Sequence, residues 1–260
     1  MQIAGILNVT PDSFSDGGRF GSVTEAVNHA LEMITKGVDI IDVGGESTRP
    51  GADPVPADEE IDRTIPVVEG IVKRFPDAVV SIDTYKSDVA EAAILAGAKL
   101  VNDISGGSFD ERMWEVVAKY GVPYILMHTT GTPQEMQQKT NYKSVVDEVR
   151  DWLFEKAVAA KKAGIKEVII DPGIGFGKTA EQNLQLLANI HRFKSRKHRV
   201  LIGLSRKSFL GKLFGFELPE RDIPGSYFEF YCAQNGADII RTHNTQNALI
   251  YRRVLERLDV

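Results

Sequence analysis

Gly37-Val38-Asp39-Ile40-Ile41-Asp42 returns late in the chain, almost unchanged, as Gly236-Ala237-Asp238-Ile239-Ile240-Arg241, and Gly97-Ala98-Lys99-Leu100-Val101-Asn102 is a third version. Each reads as the end of a helix, a glycine just past it where the backbone turns left-handed, a small residue, and then a short buried strand. Outward from these connectors, short apolar runs alternate with segments of 3.6-residue periodicity, the pattern of βαβ units. Strands are expected at Ile3–Leu7, Ile40–Val43, Val79–Ile82, Leu100–Asn102, Tyr124–Met127, Val168–Ile170, Val200–Gly203 and Ile239–Arg241. Helical stripes lie between them, such as Val23/Ala26/Val27/Ala30/Leu31/Ile34, with Ser22 and Glu25 spaced as a capping box, and Met113/Val116/Val117/Tyr120. Eight units of about thirty residues each suggest a closed (β/α)8 barrel, the TIM barrel, as one domain over residues 1–260. An open doubly wound sheet would carry a dinucleotide fingerprint after its first strand, and Asn8-Val9-Thr10-Pro11-Asp12 is not one.

Composition narrows the partners. A net charge of −5 argues against nucleic acid, which calls for clustered Lys and Arg. No apolar run approaches the ~20 residues of a membrane span. Met1-Gln2-Ile3-Ala4 enters a strand-like run without a basic leader. A single cysteine, Cys232, permits no internal disulfide and suits a reducing cytoplasm; beside Phe228 and Tyr231 it reads as a packed thiol.

The chemistry collects after the strands, where barrels build their sites. Asn8, Asp42 with Glu46, Asp83, Asn102 with Asp103, His128, Asp171, Ser205 with Lys207, and Arg241 with His243 all follow strands. Asp83, Asn102 and Asp171 continue apolar strands without a break and should point into the barrel mouth, where an unpaired carboxylate is costly. A ligand with convergent N–H donors would resolve that cost. These three suit the edge of an amino-substituted nitrogen heterocycle. Lys207, Arg241 and His243 follow the last two strands, where barrels commonly bind phosphate, and Ser205-Arg206-Lys207-Ser208 precedes a short helix. The expected site is therefore a ring pocket beside an anion pocket.

Some features mislead. Gly173-Ile174-Gly175-Phe176-Gly177-Lys178-Thr179 ends like a phosphate-binding P-loop, but Pro172 stands at its required first glycine. Its glycines more plausibly let backbone approach a ring, with Phe176 packing nearby. The five histidines lack paired zinc-ligand spacing. His29, His191 and His198 read as surface residues, and His128 as either a site residue or a structural one.

Six segments together resemble dihydropteroate synthases, a pterin-binding TIM-barrel family of folate biosynthesis: residues 5–18, 44–51, 81–84, 102–107, 171–178 and 205–208. The resemblance implies a transferase that joins 6-hydroxymethyl-7,8-dihydropterin diphosphate to 4-aminobenzoate with release of diphosphate, and that sulfonamides inhibit. It implies that Asp83, Asn102, Asp171, Lys207 and Phe176 hold the pterin, and that Asn8, Arg241 and His243 take the diphosphate. Mg2+ would sit on Asn8 and Asp16. Phe14, Thr48, Arg49, Pro50 and Ser208 would shape the aminobenzoate side, and Lys207, Arg241, His243 and Asp171 would carry the catalysis. The partners implied are these small molecules and a second copy of the chain, with Tyr227-Phe228-Glu229-Phe230-Tyr231 either at the dimer interface or in the helix–barrel core.

Where the family usually has Arg-x-His-Asp, this chain has Arg241-Thr242-His243-Asn244, which puts the orientation and protonation of His243 in question. Three other readings remain open: a methyltetrahydrofolate-dependent methyltransferase, an aldolase using Lys207, and a non-catalytic pterin-binding relative, which Asn244 alone supports. Loops Val9–Gly21 and Ser47–Pro56 are poor in apolar side chains and should be mobile until diphosphate orders them.

Overall fold

A computed structural model describes residues 1–10 and 18–258, apart from the side chains of residues 18–22 and 219. Its strands are β1 (Gln2–Asn8), β2 (Ile40–Gly44), β3 (Val79–Asp83), β4 (Leu100–Asp103), β5 (Tyr124–Met127), β6 (Val168–Asp171), β7 (Arg199–Gly203) and β8 (Ile239–Thr242). They pair in parallel and in sequence order, and β8 closes on β1. The helices are α1 (Gly18–Lys36), α2 (Ala57–Arg74), α3 (Ser87–Leu95), α4 (Met113–Tyr120), α5 (Val145–Lys162), α6 (Ala180–Ala188), α7 (Ser208–Phe214), α8 (Asp222–Gln234) and α9 (Thr245–Leu258). The (β/α)8 barrel expected from the repeats is the fold. No helix among the described residues is long and apolar enough to cross a membrane.

The repeated connector has a physical explanation. Gly37, Gly97 and Gly236 have φ of +101°, +109° and +120°, a region that penalises any Cβ. Their following N–H groups bond back into the helix: Val38 to Met33 O at 3.0 Å, Ala98 to Ala93 O at 2.8 Å, Ala237 to Cys232 O at 2.9 Å. The aspartate of the motif then clamps a neighbouring strand. Asp39 Oδ2 accepts from Ile3 N at 2.8 Å and Asp238 Oδ2 from Val200 N at 2.8 Å. Lys99 replaces it in the third copy and reaches Pro76 O instead.

Two apolar layers follow from strand alternation. Ala4, Ile40, Leu100, Ile125, Ile169, Leu201 and Ile239, with Val79 against them, fill the barrel interior. The intervening residues, such as Ile41, Val80, Val101 and Ile240, face the helices in the larger cluster.

Two expectations need correction. α1 begins at Gly18, so Ser22 lies inside the helix rather than at its cap. The spacing of Ser22 and Glu25 is the same at a cap and within a helix, and the pattern cannot separate them. His198 is not a surface residue: it is 8% exposed, near Phe154, and its ring is held below its usual pKa by burial.

Candidate active site

Strand periodicity sets which side chains enter the mouth. Side chains alternate faces, so residues two or four beyond the interior layer share its direction. That places Asp42 above Ile40, Asn102 above Leu100, Asp171 above Ile169, Arg241 above Ile239, Asp83 above Val79 and Asn8 above Ala4. Asp103 has the opposite parity. It turns outward, where its carboxylate accepts from Ser105 N, Gly107 N and Tyr124 Oη at 2.7, 2.8 and 2.6 Å, and so braces the loop after β4.

Arg241 is the centre of the floor. Its Nε donates to Asp42 Oδ2 and its Nη2 to Asp83 Oδ2, each at 2.5 Å. Asn102 Nδ2 donates to the same Asp42 oxygen at 3.1 Å. Asp83 is therefore paired within the protein, contrary to the unpaired carboxylate expected from sequence. The other oxygens, Asp83 Oδ1 and Asp42 Oδ1, are buried with no protein partner. Burial raises Asp83 above the ordinary carboxylate range and Arg241 opposes the rise. Two orphaned acceptors at the bottom of an open mouth invite a ligand's N–H groups.

A second wall comes from the loop after β6. Asp171 Oδ1 accepts from Gly173 N at 2.7 Å. Burial raises Asp171 too, with Lys207 as the largest opposing charge. Lys207 Nζ donates to Ile174 O at 2.5 Å and stands 4.2 Å from the centre of the Phe176 ring. Burial pulls this ammonium down to about 7 against the pull of Asp171. Lys178, which ended the false P-loop, is 3% exposed and turned into its own loop. It donates to Phe176 O at 2.7 Å and Gly173 O at 3.0 Å, with His128 Nδ1 at 3.1 Å. Lys178 is thus a staple for the loop. It also settles His128, which is buried edge-on to Trp152 and kept neutral by burial and by Lys178, as a structural residue.

Two of the residues expected from sequence to take an anion, Lys207 and His243, lie after β7 and β8. His243 N and Nδ1 each lie 3.1 Å from Ser205 Oγ. Burial, followed by the charge of Arg241, lowers His243 to about 3, so the ring whose protonation the sequence left in question is neutral near pH 7. Between Ser205 and Lys207, Arg206 has φ +59° and is fixed by a two-pronged ion pair to Asp222 at 2.8 and 2.9 Å. A side chain in that region is strained, and the paired Asp222 holds it there. Among the described hydrogen bonds, the Asn244 side chain makes none to His243. Its Oδ1 accepts from Asn247 N at 3.1 Å and caps α9, as an aspartate there would. The main reason to suspect a non-catalytic relative thus disappears.

The remaining residues are looser. Arg49, Pro50 and Ser208 are exposed and Thr48 half-buried, yet Arg49 is near enough for its charge to act on His243. Phe14 and Asp16 lie outside the described residues, as does most of the first loop. The loop at 47–56 is tied down more than its composition suggested: Gly51 N donates to Pro133 O at 3.0 Å and Val55 N to Glu46 Oε2 at 2.9 Å.

The pterin-binding enzyme family matches residues 4–243. A dihydropteroate synthase of Clostridium beijerinckii is 47% identical over 246 residues, 93% of this chain and 88% of the relative. The chain belongs to the dihydropteroate synthase family. Among solved structures of that family, the Xanthomonas albilineans enzyme with 4-aminobenzoic acid superposes with a TM-score of 0.89 at 42% identity, covering 98% of this chain and 93% of that one. The Yersinia pestis enzyme in a sulfonamide complex gives 0.92 at 39% identity, covering 99% and 94%.

Membership accounts for the segments that sequence singled out, but two residues of this site were not assigned there. Asp42 was visible only as one strand-end aspartate among several, and nothing in its local sequence shows that it fixes Arg241 and Asn102 together. Lys178 was visible only as a failed motif. A metal has few protein ligands to choose from: among the described residues no group of three or more His, Cys, Asp or Glu could hold one. Asn8 remains, its Oδ1, like the Asp83 carboxylate, bordering the space beside Gly44. A hard amide oxygen suits Mg2+, which commonly takes one or two protein oxygens and completes its shell with water and substrate phosphate.

Proposed function

We propose that this chain condenses 6-hydroxymethyl-7,8-dihydropterin diphosphate with 4-aminobenzoate, giving 7,8-dihydropteroate and diphosphate. The observation that carries the reading is the floor of the mouth, where orphaned carboxylate oxygens of Asp83 and Asp42 lie beside an arginine held in place. Asp83, Asn102 and Asp171 take the amino-pyrimidine edge of the pterin, Lys207 its carbonyl side, and Phe176 packs beneath. Carboxylates against the ring keep it electron-rich, which favours departure of the diphosphate from the attached methylene. Arg241 keeps Nη1 for the leaving anion while Nε and Nη2 are occupied, so it need not reorganise as charge develops. His243, neutral, donates one ring hydrogen bond. Asn8 with Asp16 holds Mg2+, which when bound would draw negative charge from the departing diphosphate.

The second substrate enters beside Thr48, Arg49, Pro50 and Ser208, with Phe14 from the first loop. Arg49 faces its carboxylate. An aniline nitrogen is neutral near pH 7 and needs no strong base, so orientation carries much of this step. Sulfonamides, which imitate the ring and its anion, compete there. Incubating the protein with both substrates, with and without Mg2+, tests the reading. Dihydropteroate and diphosphate should form in equal amounts with Mg2+, and their absence would overturn it.

The assembly is a homodimer in the cytoplasm. Ile223, Tyr227 and Tyr231 recur every four residues on α8 and are 64%, 72% and 42% exposed, whereas Phe228 and Phe230 turn inward. Such a stripe is the geometry of a helix face that meets another protein surface. Tyr227→Glu should halve the mass seen by analytical ultracentrifugation. Cys232, buried and pushed up to about 12, fits a thiol kept for packing in a reducing compartment.

A further inference from the structure

The loop from Ser47 to Pro56 has no packed core of its own. Behind it lies a cavity of about 300 Å3 lined in part by Glu46, Ala52, Pro54, Tyr85, Phe109 and Pro133. Its position is therefore set by a few polar ties. At the entry, Arg63 Nη1 donates to Gly45 O at 2.8 Å. At the tip, Ala52 N closes a turn onto Arg49 O and Gly51 N reaches Pro133 O, both at 3.0 Å. The N–H of Arg49 has only a 3.5 Å contact to Ser47 Oγ, at the limit of a hydrogen bond.

The exit is held by one side chain. Glu46 stands at the start of the loop, its carboxylate 5% exposed, and its Oε2 accepts from Val55 N at 2.9 Å, nine residues on. The same oxygen accepts from Lys86 Nζ at 2.5 Å, and Oε1 accepts from Tyr85 Oη at 2.7 Å. Lys86 in turn pairs with the buried Glu60 of α2. One carboxylate thus ties both ends of the loop to the segment after β3. With α2 on the far side of that lysine, the carboxylate cannot follow the loop if the loop shifts.

We infer that Glu46 is the positioning residue for the aminobenzoate edge: by closing the 47–55 segment onto Tyr85 and Lys86, it sets where Thr48, Arg49 and Pro50 stand. Glu46 itself touches no substrate. The inference rests on the reading of Thr48, Arg49 and Pro50 as the aminobenzoate edge. Losing the tie should cost second-substrate affinity and sulfonamide affinity together, and should spare the pterin floor, which the strands hold.

Steady-state kinetics with both substrates test it, with Arg49→Ala as the control for the underlying reading. Glu46→Ala should raise KM for 4-aminobenzoate and Ki for a sulfonamide in parallel by about tenfold, leaving kcat and KM for the pterin diphosphate within about twofold. Glu46→Gln, whose amide oxygen still accepts from Val55, should recover part of the loss. Val55→Pro removes the N–H donor alone and guards against a Glu46 variant that fails to fold. Flanked by Pro54 and Pro56, residue 55 is already confined to extended backbone. It should raise the same two constants. A loss of thermal stability and kcat with both KM values unchanged, or an unchanged aminobenzoate KM in Val55→Pro, would overturn the inference. An unchanged KM in Arg49→Ala would instead remove the reading beneath it.

Discussion

Gly173 and Gly51 both hold left-handed backbone, at φ +68° and +81°, in loops that follow strands of the same barrel. Their surroundings differ completely. A Cβ on Gly173 would collide with the backbone carbonyl of His128, whereas a Cβ on Gly51 would meet nothing within 4 Å. The loop after β6 is packed solid: Lys178 staples its carbonyls, Asp171 takes its N–H, and Phe176 is buried with Ile104, Met127 and Met136. The loop after β2 hangs from hydrogen bonds over a cavity. One half of the site is thus fixed by strands and packing, the other by a handful of polar contacts. The first suits a ligand read by its hydrogen-bonding edge, and the second suits a ligand that meets a loop held by few contacts.

The sharpest way to break this contrast is to substitute both glycines. Gly173→Ala should cost about 3 kcal/mol or more, combining left-handed strain with a backbone collision. Gly51→Ala should cost about 1 kcal/mol, from strain alone. Thermal melts decide, and equal losses would mean that the two loops are equally packed. Next comes Asp171→Asn, which turns an acceptor into a group whose NH2 faces donors. Pterin affinity should fall roughly ten- to hundredfold, or 1.5–3 kcal/mol. Calorimetry showing unchanged binding would remove Asp171 from the pocket.

The loop-built half predicts a smaller, conditional effect. Mg2+ and diphosphate, engaging Asn8 and Arg241, should raise 4-aminobenzoate affinity by about tenfold, or 1.4 kcal/mol of coupling. By linkage, 4-aminobenzoate must tighten diphosphate binding equally. Equal aminobenzoate affinity with and without diphosphate would show a preformed second pocket.

A pH-dependent effect, away from both loops, concerns the backing of β8. Glu229 of α8 is 2% exposed, beside Thr242 and Tyr251, and burial pushes it up to about 8. Unfolded, it ionises near 4.5; folded, it keeps its proton to about 8. The folded chain therefore binds the extra proton between those values, so stability falls as pH rises through that window and is level above it. Glu229→Gln should flatten the decline in Tm across that window. Wild-type and variant melting curves that run parallel from pH 5 to 8 would show Glu229 to be ionised in the fold.

The same contrast explains what the sequence revealed. Asp83, Asn102, Asp171 and Arg241 were legible because a strand has a period of two and ends abruptly, so position alone aims the side chain. Asp42 shares that position, but its role is relational: it exists only once β2, β4 and β8 close into one barrel. Arg241 was read as an anion ligand, and its grip on Asp42 and Asp83 could not be foreseen across 199 and 158 residues. Lys178 imitated a phosphate-binding lysine because local spacing says nothing about which way a loop folds. His198 was misplaced because a polar residue in a charged stretch looks exposed until Phe154 is brought beside it.

The solid packing around Gly173 also bears on how this protein can change over generations. On the function proposed above, a growth inhibitor that imitates 4-aminobenzoate would rest on Thr48, Arg49 and Pro50, half-buried or exposed, where many substitutions should leave the fold intact, and escape from it would need only one tolerable codon change. An inhibitor shaped to the floor formed by Asp83, Asn102 and Asp171 leaves fewer exits. There, most substitutions that weaken the drug also leave a carboxylate unpaired, break a strand end or meet the His128 carbonyl. Lineages exposed to the first kind of compound should therefore diversify in the loop after β2, while the loop after β6 stays nearly invariant.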